Sequence, residues 1–167
     1  MESDMDTALS LRQKVLSAPG CEFDCEITAD YGNIIYSFLV NCKFDDQGAL
    51  TFGVIEPKSI SGISGVISSQ GGSLTFDDEV LAFPLMADGY ISPISAPWVF
   101  MKALRSGYIH SCSASNNGFC IRLHDSYAEN SLEMDVWFDE NDIPFHSELL
   151  WQGRKILSLN VKNFQWL

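Results

Sequence analysis

Two kinds of side chain alternate through CEFDCEITADY, residues 21–31. Every odd position from Cys21 to Tyr31 is apolar or aromatic, whereas the even positions carry Glu, Asp, Glu, Thr and Asp. Successive side chains of a β-strand point to opposite faces of its sheet. This stretch therefore predicts a half-buried strand with one apolar face and one acidic, solvated face.

The same period of two continues downstream and predicts a long antiparallel meander. Residues 34–44 carry apolar or aromatic side chains at every even position from Ile34 to Phe44, and the turn at 45–48 leads into a third strand from Leu50. Further strands are predicted over residues 63–68, 74–76, 80–85, 108–114, 119–124, 132–138, 143–151 and 156–164, with a turn at Asp77-Asp78. The total is roughly ten or eleven strands, and a sheet of this size closes into a barrel or wraps around other elements.

Two stretches have the apolar spacing of three and four residues that is typical of a helix. Residues 4–17 predict an amphipathic helix with Asp4 or Asp6 as its N-cap. Residues 98–105 predict a second, shorter helix with Ser95 as its N-cap. The predicted fold class is α+β, in which a curved antiparallel sheet forms an incomplete β-barrel and the helices cover its concave face.

Composition limits the classes of function. The 167 residues predict one domain, 1–167, with no internal boundary or repeat. With 46% hydrophobic residues the chain can bury a core, and 22 acidic against 10 basic side chains give a net charge of −12. Affinity for nucleic acid comes from clustered Lys and Arg, so nucleic acid is excluded as a partner. The longest apolar stretch, residues 34–40, is too short to span a membrane.

The motifs of common catalytic sites are missing from the sequence. It contains no HExxH, GxxxxGK or GxGxxG, and residues 61–65 miss the GxSxG spacing by one position. Residues 139–142 begin like a calcium loop but lack its glycine and distal Glu, which favours a solvated hairpin tip. His146 is interpreted as a surface or hydrogen-bonded core histidine. We therefore predict no enzyme, no cofactor and no bound metal.

Five cysteines, an odd number, do not make a disulfide framework, but two of them lie on one predicted hairpin. A turn centred on Asn116 places Cys112 opposite Cys120, with Cα atoms about 4.5–5.5 Å apart. That register needs a loop of three or five residues and is not given by a two-residue loop. Three interpretations stay open: a Cys112–Cys120 disulfide if the protein is exported, a metal site that adds His110, or free thiols.

The order of elements resembles that of the LolA-like lipoprotein carrier superfamily. The resemblance is carried by the first helix, by FGVIEP at residues 52–57, by LTFDD at 74–78, by the helix over 92–104, and by VWFD at 136–139 with Pro144 after it. The nearest branch is that of the Gram-positive lipoproteins, including the spore-germination type.

The resemblance implies a half-barrel whose helix-covered concave face binds acyl chains or a protein partner. On this chain the ligand-binding residues would be Tyr36, Phe38, Val40, Leu50, Phe52, Val54, Trp98 and Met101. From the residues alone these side chains are either core packing or the wall of an apolar pocket, since both have the same composition. Where the carriers have an Arg that latches the lid, this chain has Lys58-Ser59-Ile60, which points to a tethered lipoprotein instead of a lipoprotein shuttle.

The implied function is that of a non-catalytic, extracytoplasmic lipoprotein domain that binds a lipid or acyl chain in the half-barrel cavity. The alternative is a membrane-tethered scaffold or chaperone for a protein partner, with a filled cavity, for example in sporulation or germination. The first residues, with Glu2, Asp4 and Asp6, are unlike a secretory signal. The protein is therefore either cytosolic or, as the resemblance implies, anchored through a leader and a lipid-bearing cysteine upstream of Met1.

Overall fold

The computed structural model describes residues 3–30, 32, 35–76, 79–83, 86–87, 90–126 and 131–167. Two α-helices, α1 (Asp4–Ser17) and α2 (Ala96–Ser106), are accompanied by short 3-10 turns at Lys58–Ile60 and Pro93–Ser95. In the described part of the chain, neither helix has the length and hydropathy needed to cross a lipid bilayer. Tyr31, Ile34 and the predicted turn at Asp77-Asp78 lie outside the described residues.

The rest of the described chain is dominated by antiparallel strands. They are β1 (Cys21–Asp30), β2 (Ile35–Phe44), β3 (Leu50–Glu56), β4 (Ser64–Ser68), β5 (Gly71–Phe76), β6 (Glu79–Phe83), β7 (Met86–Ala87), β8 (Tyr90–Ile91), β9 (Tyr108–Ser115), β10 (Gly118–His124), β11 (Glu133–Phe138), β12 (Pro144–Trp151) and β13 (Arg154–Trp166). Eleven of them form one sheet in the order β6-β5-β4-β3-β2-β1-β13-β12-β11-β10-β9, and β7 pairs with β8. Within the described residues the outermost strands, β6 and β9, do not pair with each other. The predicted α+β half-barrel is confirmed.

The first strand lies at the centre of the sheet and has the predicted alternation. Its odd positions from Cys21 to Ala29 are buried, and the even positions are half-buried or exposed. As predicted, β1 pairs with β2 in antiparallel register, with Phe23 opposite Cys42 and Ile27 opposite Phe38. The buried set joins one core that extends across both helices and most of the sheet. A period of two therefore assigns the inner face of this strand correctly.

At one end of β2 the predicted inner face is correct but is not fully covered, contrary to the prediction. Tyr36 is 44% exposed and Phe38 is half-buried, and the two rings stack with centroids 6.3 Å apart. The ladder between β2 and β3 begins only at Leu39, which pairs with Glu56, so the first residues of β2 extend beyond β3. The side chain of Tyr36 points to the expected face but projects past the covered part of that face.

The N-cap of helix α1 lies one residue before Asp4, the first of the two predicted positions. Ser3 is the N-cap, and its hydroxyl accepts from the Asp6 backbone N–H while the Asp6 carboxylate accepts from the Ser3 N–H. This capping box corrects the prediction of Asp4 or Asp6. Only Ala8, Leu11 and Val15 are buried, against β9 and α2. The other large apolar side chains of the helix, Met5, Leu9 and Leu16, are exposed.

Helix α2 lies over the concave face and is held near both ends. Near its start, the indole Nε1 of Trp98 donates to the Gly48 carbonyl in the β2–β3 turn at 3.0 Å. Just past its end, the Arg12 guanidinium donates to the Gly107 carbonyl at 2.6 Å and to the Ala103 carbonyl at 3.4 Å. A cation at a helix C-terminus satisfies free carbonyls and the helix dipole. Burial lowers the pKa of Arg12.

Candidate functional site

Most of the predicted ligand-binding residues form solid core. Val40, Leu50, Phe52, Val54 and Met101 are each at most 6% exposed, and all belong to the core cluster. They lie where β2, β3 and the inner side of α2 meet, and none of them lines the cavity described below. At this end of the half-barrel, the protein's own side chains occupy the concave face.

The β9–β10 hairpin has a different register from the one predicted. Its loop has two residues, Asn116 and Asn117, because Gly118 joins the ladder opposite Ser115. Cys112 is therefore opposite Ile121, and Cys120 is opposite Ser113. A shift of one residue puts the two cysteines on opposite faces, which contradicts the disulfide and metal-site interpretations and leaves that of free thiols. All five cysteines are free thiols.

An open cavity lies between α2 and the ends of strands β10 and β11. Its volume is about 250 Å³. It is lined by Ser69, Trp98, Val99, Lys102, Ala103, Ser106, Gly107, Leu123, His124, Asp125, Leu132 and Met134. Six of these residues are apolar in side chain, which fits an apolar ligand held by few polar groups.

Paired strands and α2 form the walls of the cavity. Leu123 of β10 lies directly opposite Met134 of β11, and both are 2% exposed. This pair forms the wall of the cavity on the side of the sheet. Beyond them Asp125 and Leu132 hold the strand ends together: the Asp125 carboxylate accepts from the Leu132 N–H at 2.8 Å, and the Asp125 N–H donates to the Leu132 carbonyl at 3.1 Å. Trp98 and Ala103 supply the opposite wall from α2.

The charges at the cavity are few. Lys102 is exposed on α2, and its ammonium nitrogen lies 5.1 Å from the centroid of the Trp98 ring, a cation–π contact. Among the described residues no carboxylate forms an ion pair with Lys102. Asp125 is also exposed, and its carboxylate accepts the Leu132 N–H.

The polar groups of the convex face pair with one another. Arg122 donates two hydrogen bonds to the Asp135 carboxylate, at 2.7 and 2.8 Å, and this carboxylate raises the pKa of Arg122. His146 contacts Asn160 Oδ1 at 2.7 Å and Glu148 at 3.2 Å, which confirms a hydrogen-bonded histidine. No cluster of three or more His, Cys, Asp or Glu side chains in the described residues has a metal-binding arrangement.

Comparison with known proteins identifies the fold. No protein-family model and no curated protein matches the sequence. An uncharacterised conserved protein from Thermus thermophilus has a similar structure, with a TM-score of 0.54 and 13% identity over 99% of this chain and 88% of that one. A domain described as an outer membrane lipoprotein-sorting protein, from Vibrio parahaemolyticus, has a TM-score of 0.52 and 10% identity over 96% of this chain and 91% of that one. The chain shares its fold with this lipoprotein-sorting domain, which agrees with the fold that the LolA-like resemblance implied.

A lipoprotein solved together with an amidase has a lower structural similarity to this chain. It is the GerS lipoprotein of Clostridioides difficile, solved in complex with the CwlD amidase. That likeness has a TM-score of 0.49 and 10% identity, and it covers 100% of this chain and 98% of that one. At these identities the likeness is one of fold.

Within the LolA-like fold, sequence reasoning found one wall residue of the cavity and missed the others. Of the predicted ligand-binding residues only Trp98 lines it. The lining comes from α2, from the turn between β4 and β5, and from the ends of β10 and β11, which are far apart in sequence. One usable signal was local: Trp98 and Lys102 are four residues apart and therefore adjacent on the helix surface.

Proposed function

We propose that this chain is a non-catalytic LolA-like domain, residues 1–167, that binds an apolar ligand between α2 and strands β10 and β11. The observation that carries the proposal is the cavity of about 250 Å³ at that place, with Trp98, Val99, Leu123 and Met134 among its walls. Ligand sites are concave, mostly apolar and largely formed before the ligand arrives. The wall of paired strands and the helix held near both ends meet that description.

The proposal includes an extracytoplasmic location with a lipid anchor upstream of Met1. It is supported by the LolA-like fold, which this chain shares with a domain described as lipoprotein-sorting. Expression with the native upstream reading frame and a labelled fatty acid tests it. Label in the mature protein is expected, and an unlabelled protein in the cytosol would contradict the location.

The binding proposal is tested by filling the cavity. Ala103 lines it from α2, so Ala103→Phe places a ring in the space that the ligand needs. We expect wild type to bind a hydrophobic dye and 1-decanol with at best micromolar affinity, followed by Trp fluorescence. Ala103→Phe is expected to lose this binding while it keeps its thermal unfolding transition.

The matched control is Ala114→Phe, since Ala114 is exposed on β9 and takes no part in the cavity. Equal binding by wild type and both variants would contradict a site under α2. Absence of binding by wild type would contradict the ligand-binding function itself.

A second function, a tethered scaffold or chaperone for a protein partner, is favoured by the surface of α1. Met5, Leu9 and Leu16 are 42, 52 and 50% exposed, and their spacing of four and seven residues places them on one side of the helix. Apolar side chains grouped on a surface are typical of interaction sites. The test is partner binding by two variants. If the double variant Leu9→Asn, Leu16→Asn no longer binds the partner while Ala103→Phe still binds it, the result favours this function.

A further inference from the structure

We propose that the ligand is a single-chain amphiphile with an anionic head group, and that Lys102 binds this head group at the mouth of the cavity. This inference rests on the proposed function and names the ligand class for the same site. It follows from three features of the cavity: its size, the position of Lys102, and the hydrogen bond that the Asp125 carboxylate accepts from the Leu132 N–H.

The size of the cavity favours one short chain. Ligand pockets typically have about 300–1,000 Å³, and this one has about 250 Å³. Among the described residues, the concave face around β2 and β3 is occupied by buried side chains such as Phe52 and Met101, so the cavity does not extend in that direction without unpacking core. A second acyl chain would need that unpacking.

Among the described residues that line the cavity, Lys102 is the one Lys or Arg. Several other basic residues pair with carboxylates, as Lys14 does with Asp142 and Arg154 with Asp30. The ammonium of Lys102 has the Trp98 ring as its contact and carries no ion pair within the described part of the chain. A cation that has no ion pair among the described residues and lies beside an apolar cavity is the feature that an anionic amphiphile matches.

The two carboxylates nearest to this part of the cavity, Asp125 and Glu133, have contacts other than Lys102 and keep their negative charge. The Asp125 carboxylate accepts the Leu132 N–H, which fixes it at the strand ends. His124 also lines the cavity, and its Nε2 lies 3.9 Å from the Glu133 carboxylate, which in turn lies 3.7 Å from Arg122. Among the described residues that line the cavity, Lys102 is the lysine that no carboxylate pairs with, and its long side chain can follow a head group at the mouth.

The test compares decanoate, 1-decanol and a phosphatidate with two decanoyl chains on the folded protein, by Trp fluorescence and calorimetry. We expect decanoate to bind about five- to tenfold more tightly than the alcohol, the effect of one partly solvated charge pair. Lys102→Gln should remove this difference by weakening the binding of decanoate towards that of the alcohol. Lys43→Gln, which makes the same charge change at an exposed position of β2, should keep it.

The outcomes separate this inference from the proposed function. Equal binding of acid and alcohol, or a difference that survives Lys102→Gln, would overturn the role of Lys102 while the cavity still binds a chain. Tighter binding of the two-chain phosphatidate than of decanoate would overturn the single-chain class. Failure of wild type to bind any of the three would overturn the proposed function, and the inference with it.

Discussion

Phe52 in β3 lies directly opposite Gly65 in β4, and its ring occupies the space that a side chain at position 65 would need. A Cβ at Gly65 would lie 2.7 Å from Phe52 Cζ and would also collide with the Ser73 carbonyl oxygen. The glycine is what allows a large buried ring at this place in the sheet.

Gly65→Ala is therefore expected to lower the free energy of unfolding by about 1–3 kcal/mol, because extra atoms in a packed core force shifts of its neighbours. Urea denaturation measures it. Gly53→Ala is the control, since a Cβ there meets nothing within 4 Å. That variant should be neutral or stabilised by about 0.5–1 kcal/mol, the usual gain over a strand glycine. Equal losses at both positions would contradict this packing.

Phe23 and Phe38 point to the same side of neighbouring strands but should differ in their contribution to stability. Phe23 is 1% exposed, and its ring contacts Phe100 and Phe164, with centroids 5.9 and 5.6 Å away. Phe23→Ala is expected to cost about 3–5 kcal/mol, as other large buried rings do. Phe38→Ala should cost clearly less because its ring is already half-solvated. Chemical denaturation of both variants checks the order, and a reversed order would refute the assigned inner face.

The pair between Arg122 and Asp135 should contribute measurably to stability. Asp135 is 8% exposed and accepts both hydrogen bonds from the guanidinium. Arg122→Met is expected to cost about 1.5–3 kcal/mol, because it leaves a buried carboxylate without its charged partner. The double variant Arg122→Met, Asp135→Leu should recover much of that loss. Lys14→Met breaks the exposed pair with Asp142 and should cost at most about 1 kcal/mol.

Thiol labelling tests the hairpin register. Five reactive thiols are expected under denaturing, non-reducing conditions. A count of three would instead support a Cys112–Cys120 disulfide. In the folded protein only the half-buried Cys112 and Cys120 should react. Burial and Asp135 raise the pKa of Cys120 to about 11. Because the thiolate is the nucleophile, its labelling rate should rise about tenfold per pH unit between roughly pH 7 and 10.

The three buried thiols should make the protein sensitive to alkali. Burial raises the pKa of Cys21 from 9.0 to about 12, and it raises those of Cys25 and Cys42 as well. Each of these thiols ionises more easily in the unfolded chain than in the folded protein. Below about pH 9 it is protonated in both states and does not change stability. Above that pH it lowers the free energy of unfolding by up to about 1.4 kcal/mol per pH unit. Denaturation at pH 8, 9, 10 and 11 measures this slope.

Cys42→Ala should reduce the alkaline slope even if it lowers stability at pH 8, because one buried ionisable group is gone. Cys112→Ala, at a half-buried position on β9, should keep a slope close to that of wild type. Identical slopes in all three proteins would mean that the buried thiols do not drive the alkaline loss.

The strands and their inner faces could be predicted from the sequence wherever one face of the sheet is buried and the other is solvated. In β1 the alternation of apolar and polar side chains leaves one register that buries the apolar set, so residues 21–30 and their pairing with β2 could be assigned in advance. The helices followed from apolar spacing, although the N-cap moved to Ser3 because local hydrogen bonds select the cap.

The hairpin register and the position of the cavity could be seen only in the folded chain. The run Asn116-Asn117-Gly118 permits loops of more than one length, and the folded chain places Gly118 in the ladder against the Phe138 backbone, where a Cβ would not fit. The cavity depends on where Arg12 and Trp98 hold α2 over the sheet. Residues that fill a core and residues that surround a void have the same apolar composition, and only the distance between the elements that carry them separates the two.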